Sequence, residues 1–362
     1  MVSTVIIAFL SLIILIVLHE FGHFIVAKHF GVRVEEFGVG LPPRIYGKKK
    51  GETIYSLNAI PLGGFVRLYG EEENIKDPRS FSGKPILQRA LIILAGVASF
   101  WIISFIIFTF LAGTWGLPIA VDDQQNDVLR NAKVTIIAIS SDSPAAIAGL
   151  KPGDVIQSLQ FGEERIEVSK IQEVSDFASL HKGEEIKLII KSGIKVFETS
   201  LIPRVSYPEG QGPIGVALLR NALKSYTWYQ APIEGFKLTA HITVSIPYAI
   251  GESIIKVIKK EPVENVEMRG VIGIVDLLNQ SVQSGINNFL YFIAILSIYF
   301  AVFNILPIPA LDGGKIMFLA AEKIKGKPIS EKFEQKITTF FFILLLGLTL
   351  WITITKDIPR LF

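Results

Sequence analysis

His19-Glu20-Phe21-Gly22-His23 sets two imidazoles four residues apart, with a carboxylate beside the first. On a helix that spacing is about one turn, so both rings leave one face and can share a metal ion. Glu20 can then reach a water on the metal and act as general base. At a zinc centre such water has a pKa near ~7, against about 15.7 in bulk, so a nucleophile is available at neutral pH. Two of the five histidines in the chain are spent here.

A third ligand is needed. His29 follows His19 by ten residues, but on a continuing helix it would lie ~15 Å further along the axis. It reads as a loop or interfacial residue. Asp312 is the better candidate, in Asn304-Ile305-Leu306-Pro307-Ile308-Pro309-Ala310-Leu311-Asp312-Gly313-Gly314. Two prolines break a helix there, and paired glycines permit a tight backbone path. One carboxylate with two neutral histidines makes a three-ligand site with an open position for water. The competing reading of Asp312 is a cap on a helix starting at Gly313.

The elements that must hold these residues are membrane spans. Of 362 residues 50% are apolar and only 19% charged, and the mean hydropathy is +0.47. A bilayer crossing needs about 20 nearly uncharged residues. Leu91–Leu111, Asn287–Leu306 and Ile337–Thr355 carry no charge at all. The N-terminus lacks the basic region and small-residue site of a cleaved signal peptide, and reads as a first span over Thr4–Ala27. His19, Glu20 and His23 lie two-thirds along it, and ionisable groups inside a span mark function by default. The net charge of +3 is spread along the chain, which argues against nucleic acid as a partner. The absence of cysteine excludes disulfides, thiolate metal sites and a cysteine nucleophile.

Loop charge sets the expected orientation. Nine Lys/Arg fall in Gly31–Gln88 and six Lys between Lys315 and Lys336, whereas 112–286 holds 17 basic and 20 acidic residues. This places the first and third loops in the cytoplasm, and both termini and the middle region outside. Gly31–Gly70 reads as strands and turns, and Lys133–Pro203 as an α+β unit. Residues 204–286 form an amphipathic connector, with Ser225–Lys260, whose charges Glu234, Lys237 and Glu252 weigh against a further span, expected as amphipathic helices at the membrane surface.

Taken together, HEFGH in the first span, FGVG at Phe37–Gly40, IPLGGFVRL at Ile60–Leu68, SPAAIAGLKPGD in the middle unit and NILPIPALDGG in the third span resemble the site-2 proteases. These are intramembrane zinc metalloproteases, and the likeness is to the bacterial regulator-of-sigma-factor protease group. GVIGI at Gly270–Ile274 agrees with it too. The resemblance implies a polytopic α-helical membrane protein of the bacterial inner (plasma) membrane. It would have four transmembrane helices, a cytoplasmic-side β-rich segment and one extracytoplasmic PDZ domain over 133–203. It implies Zn2+ held by His19, His23 and Asp312, Glu20 as catalytic base, and Asn304 near the substrate backbone. The implied substrates are single-span membrane proteins, either anti-sigma-factor-like proteins or signal-peptide remnants. Whether the PDZ domain recruits or excludes them stays open. The second span departs from the family at Val97 and Phe100, the third at Tyr299, and Lys315 stands where His is common.

Overall fold

The computed structural model describes residues 2–71, 73, 75–124, 130–208, 210–260 and 269–360. Among the described residues, four helices are long and apolar enough to cross a membrane: Ile6–His29, Ile86–Gly113, Ile286–Ile305 and Glu331–Asp357. They correspond to α1 (Val2–His29), α2 (Ile86–Gly113), α7 (Ile286–Ile305), and α9 (Glu331–Ile352) with its terminal π turn. α1, α2 and α9 run beyond their apolar stretches through polar turns such as that of Arg89, whereas α7 matches its stretch to within a residue at each end.

α1, α2 and α7 form the packed centre. The buried face of α2 includes Ile92, Ile93, Gly96, Val97, Phe100, Ser104 and Phe108, a helical stripe turned towards its neighbours. Two buried hydroxyls cross between helices: Ser104 Oγ donates to the Ala294 carbonyl at 2.7 Å, and Ser297 Oγ to the Phe100 carbonyl at 2.9 Å. In an apolar setting a hydroxyl must find such an acceptor, so the two bonds fix the register of α2 on α7. Arg89 and Glu322 form a two-pronged ion pair at 3.0 and 2.5 Å, joining the start of α2 to α8 (Asp312–Lys325).

Between α1 and α2 the chain makes β1 (Val34–Lys50) and β2 (Thr53–Leu68), paired antiparallel. Both strands bend. Phe37 therefore faces Val66 on one side and Tyr55 on the other. Glu36 is buried at the bend and accepts from Arg44 and from Ser56 Oγ. Burial pushes its carboxyl up, but Ser56 and Arg44 outweigh that and hold it below the usual carboxylate range.

The middle unit is a sheet in the order β3-β9-β4-β5-β7-β8, with β6 against β5. Its strands are β3 (Leu117–Ala120), β4 (Arg130–Ile139), β5 (Val155–Phe161), β6 (Glu164–Glu167), β7 (Ile186–Ser192), β8 (Lys195–Leu201) and β9 (Val216–Lys224). Helices α3 (Pro144–Ile147) and α4 (Ile171–Leu180) complete it, with Ser143 capping α3 through a bond from Ala146 N. This sheet is wider than the 133–203 expected from the sequence. β9, inside the expected connector, pairs with β4, and β3 pairs with β9. The polar residues Arg220, Asn221 and Lys224 hide the strand pattern of β9.

Downstream, 225–260 holds one helix, α5 (Ala231–Lys259). Its buried Gly235 lies against Thr109 of α2, and Ile246 joins an apolar cluster with Phe108, Ala294 and Ile298. Small residues on that face let it follow α2 closely. α6 (Val271–Gln283) then sends Leu278, fully buried, into a cluster with Ala8, Leu15 and Val97.

Candidate metal centre

Helix α1 continues without a break through His19 and His23, and α8 starts at Asp312, so the three side chains converge as the spacing requires. The imidazole Nε2 atoms lie 3.3 Å apart. Asp312 Oδ2 is 3.3 Å from His19 Nε2 and 3.6 Å from His23 Nε2. One ligand atom from each residue falls within 4.8 Å of the others. Asp312 does not cap α8 with its side chain, and its buried Oδ2 has no hydrogen-bond partner. Three acceptors gathered around one point, with an orphaned carboxylate oxygen among them, fit a divalent cation bound by nitrogen and oxygen. Burial pushes the Asp312 carboxyl up, but His23 and His19 beside it hold it below its usual range.

Close backbone approach makes this convergence possible. A Cβ on Gly96 would run into the His23 ring, and one on Gly22 into the Ala95 carbonyl. On the α8 side, Gly313 and Gly314 press against the carbonyls of Ile305, Leu306 and Ile308. These glycines bring α1, α2 and the α7–α8 turn together where the ligands meet.

The two rings are oriented differently. His23 Nδ1 pairs with the Ile92 carbonyl at 2.9 Å, which leaves Nε2 free to ligate. His19 Nδ1 is buried without a hydrogen bond, and its ring instead stacks on Phe100, centroids 4.7 Å apart and planes 14° apart. Phe100 is thus in direct contact with the site. Val97 is buried in the α1–α2–α6 cluster, whereas half-exposed Tyr299 stacks on Phe303 of its own helix.

Glu20 leaves α1 beside the ligands, and Val66 N of β2 donates to its Oε2 at 3.0 Å. A cavity of about 80 Å³ adjoins them, lined by Glu20, His23 and Asp312 together with Val66, Glu71 and Lys315. It has room for about two waters. Lys315 Nζ meets Glu71 Oε1 at 2.5 Å, and that carboxylate raises the ammonium above the usual lysine range. The structure does not bring Asn304 to this cavity; its amide donates to the Phe300 carbonyl one turn back, at 2.9 Å. His29 ends α1 against Phe30 and stands apart from the triad. Sequence reasoning missed Gly96, the Ile92 carbonyl, Val66 N and Glu71. Backbone partners leave no trace in residue type, and Gly96 could be found only by asking what packs on His23.

A helix-borne pair of histidines and one carboxylate, set against three apolar helices, fit a metallohydrolase of the membrane. Comparison with known proteins makes the class specific: the profile of peptidase family M50 matches residues 7–348. A Clostridium perfringens protein, designated a candidate zinc metalloprotease, is 33% identical over 359 residues, covering 98% of each chain. The regulator of sigma-W protease of Bacillus subtilis is 27% identical over 450 residues, covering 100% of this chain and 99% of its own. Among solved structures, the PDZ domain of an SdrC-like protein from Listeria monocytogenes is 26% identical over 24% of this chain and 85% of its own, with a TM-score of 0.20. The chain belongs to peptidase family M50, the site-2 protease family, and is a zinc metalloprotease.

Proposed function

We propose that this protease hydrolyses a peptide bond within or near the transmembrane segment of a single-span membrane protein, in regulated proteolysis or in clearing signal-peptide remnants. The observation that carries the reading is the convergence of His19, His23 and Asp312 inside the helix bundle, with Glu20 held by Val66 N beside a small cavity. His19, His23 and Asp312 would hold the zinc. When bound, zinc supplies a Lewis acid that acidifies water and polarises a carbonyl. Glu20 takes a proton from the attacking water and returns it to the leaving amine. Positioning of its carboxylate by Val66 N keeps it at the ligands during both transfers.

The substrate helix must unwind before its amide can be attacked. β2 offers a strand edge for this: Gly64–Leu68 pairs with β1 on one side, and Val66 N points away from β1 to Glu20. An extended substrate added along that edge lies next to the base. Asn304 steadies the substrate only after releasing the Phe300 carbonyl. In the orientation we favour, the β1–β2 segment and the triad face the cytoplasm, and the middle sheet stands outside as a PDZ domain that filters substrates by size. Its short tether supports a filter: α2 ends at Gly113, β3 starts at Leu117, and Gly116 packs on the backbone of Lys224. A domain held that close cannot swing far to fetch a substrate.

Cleavage of a single-span reporter in proteoliposomes tests both parts. Glu20→Gln should abolish cleavage, and undiminished turnover would sink the assignment. Because Leu117 faces Lys224 across the sheet, a short turn can replace the domain between them. That excision should admit long-ectodomain reporters which the full chain rejects, whereas a recruiter's loss would only weaken cleavage.

A further inference from the structure

The tetrahedral centre formed during amide hydrolysis carries a negative oxygen that needs hydrogen-bond donors. The polar donors close to the triad are mostly committed. Val66 N is bound to Glu20, His23 Nδ1 faces the Ile92 carbonyl, and the Asn304 amide is turned onto Phe300 of its own helix. Lys315 is different. It follows Asp312 by three residues on α8, so both side chains leave the same face. It lines the cavity together with Glu20, His23 and Asp312. Its ammonium has three N–H donors, and Glu71 Oε1 takes one of them at 2.5 Å. Glu71 reaches it from the loop just after β2, the strand that also holds the base.

We propose that Lys315 is a catalytic residue of this protease, donating to the carbonyl oxygen of the scissile peptide as it becomes an oxyanion, with Glu71 as the positioning residue that aims the ammonium. This rests on the protease reading above and adds a residue to it. In the step, the water oxygen bonds to the carbonyl carbon, the C–N bond breaks, and the water's proton reaches the leaving nitrogen through Glu20. Lys315 exchanges no proton and holds the charge while it exists. A simple strut between the β2 loop and α8 would use the same ion pair, so the test must separate the two roles.

The test is steady-state cleavage of the single-span reporter by the full-length protein, with zinc content measured on each sample. Lys315→Met should lower kcat by about 100-fold or more, with KM nearly unchanged and zinc retained, the scale set by loss of one oxyanion donor. Lys315→Arg should restore most of the loss, and Glu71→Gln should cost about tenfold or less. The proposal is overturned if Lys315→Met keeps zinc and stays within about threefold of the parent kcat. It is overturned equally if Glu71→Gln loses as much as Lys315→Met, which is what a strut predicts. Should Lys315→Met lose its zinc, the other two variants decide: the proposal holds if both keep zinc and at least about a tenth of the parent kcat, and falls otherwise. Failure of the underlying reading has a different signature, namely a parent protein without zinc or a Glu20→Gln variant that still cleaves.

Discussion

The helices around the triad and the last helix, α9, are alike in length and in apolar composition. Their packing is opposite. α2 buries one face and approaches α1 closely enough for glycine to be required, whereas no described residue of Glu331–Ile352 in α9 is buried. Lipid satisfies an apolar side chain as well as protein does, so hydropathy reports entry into the bilayer and says nothing about partners. Small residues and polar contacts report partners. Around the triad these are Gly22, Gly96, Gly313, Gly314, Ser104 and Ser297. One such contact of α9 lies at its far end, where buried Asp357 accepts from Gly270 N at 3.0 Å and Gly273 N at 2.9 Å and so caps α6.

This contrast can be broken at either end. The largest effect is expected at Gly96→Val, whose side chain would displace the His23 ring. A ligand misplaced by about 1 Å costs roughly 100-fold in rate, so reporter turnover and zinc content should both collapse. A tightly bound, active Gly96→Val enzyme would show that the α1–α2 approach is dispensable. At the tether, Asp357→Ala removes the cap from α6 and should lower stability by about 1–2 kcal/mol in detergent unfolding while zinc is retained. Leu344→Ala, on the exposed face of α9, should change stability by less than about 0.5 kcal/mol. Equal losses from these last two substitutions would mean that α9 is held along its length and not at Asp357.

The same division governs what could be read from the amino acids. The four spans were legible because a bilayer demands uncharged length, and the triad because its members are improbable at that depth. Asp312 required joining two motifs 289 residues apart after His23, and its orphaned Oδ2 fits a ligand better than a helix cap. Burial and pairing were harder. β9 was hidden by Arg220 and Asn221, whose alternation looks like a polar connector. Phe100 and Lys315 stood out only as departures, with no sign that one stacks on His19 and the other lines the cavity. Those contacts are set by tertiary approach, and single residues do not announce them.

The central claim, that His19, His23 and Asp312 together form the zinc site, is tested most directly by metal analysis of the purified protein beside Asp312→Ala and Glu20→Gln. Parent and Glu20→Gln should each hold about one zinc ion per chain, and Asp312→Ala should lose most of it, because the carboxylate of Asp312 completes the three-ligand set. Zinc retained in full by Asp312→Ala, or absent from all three, would contradict the account.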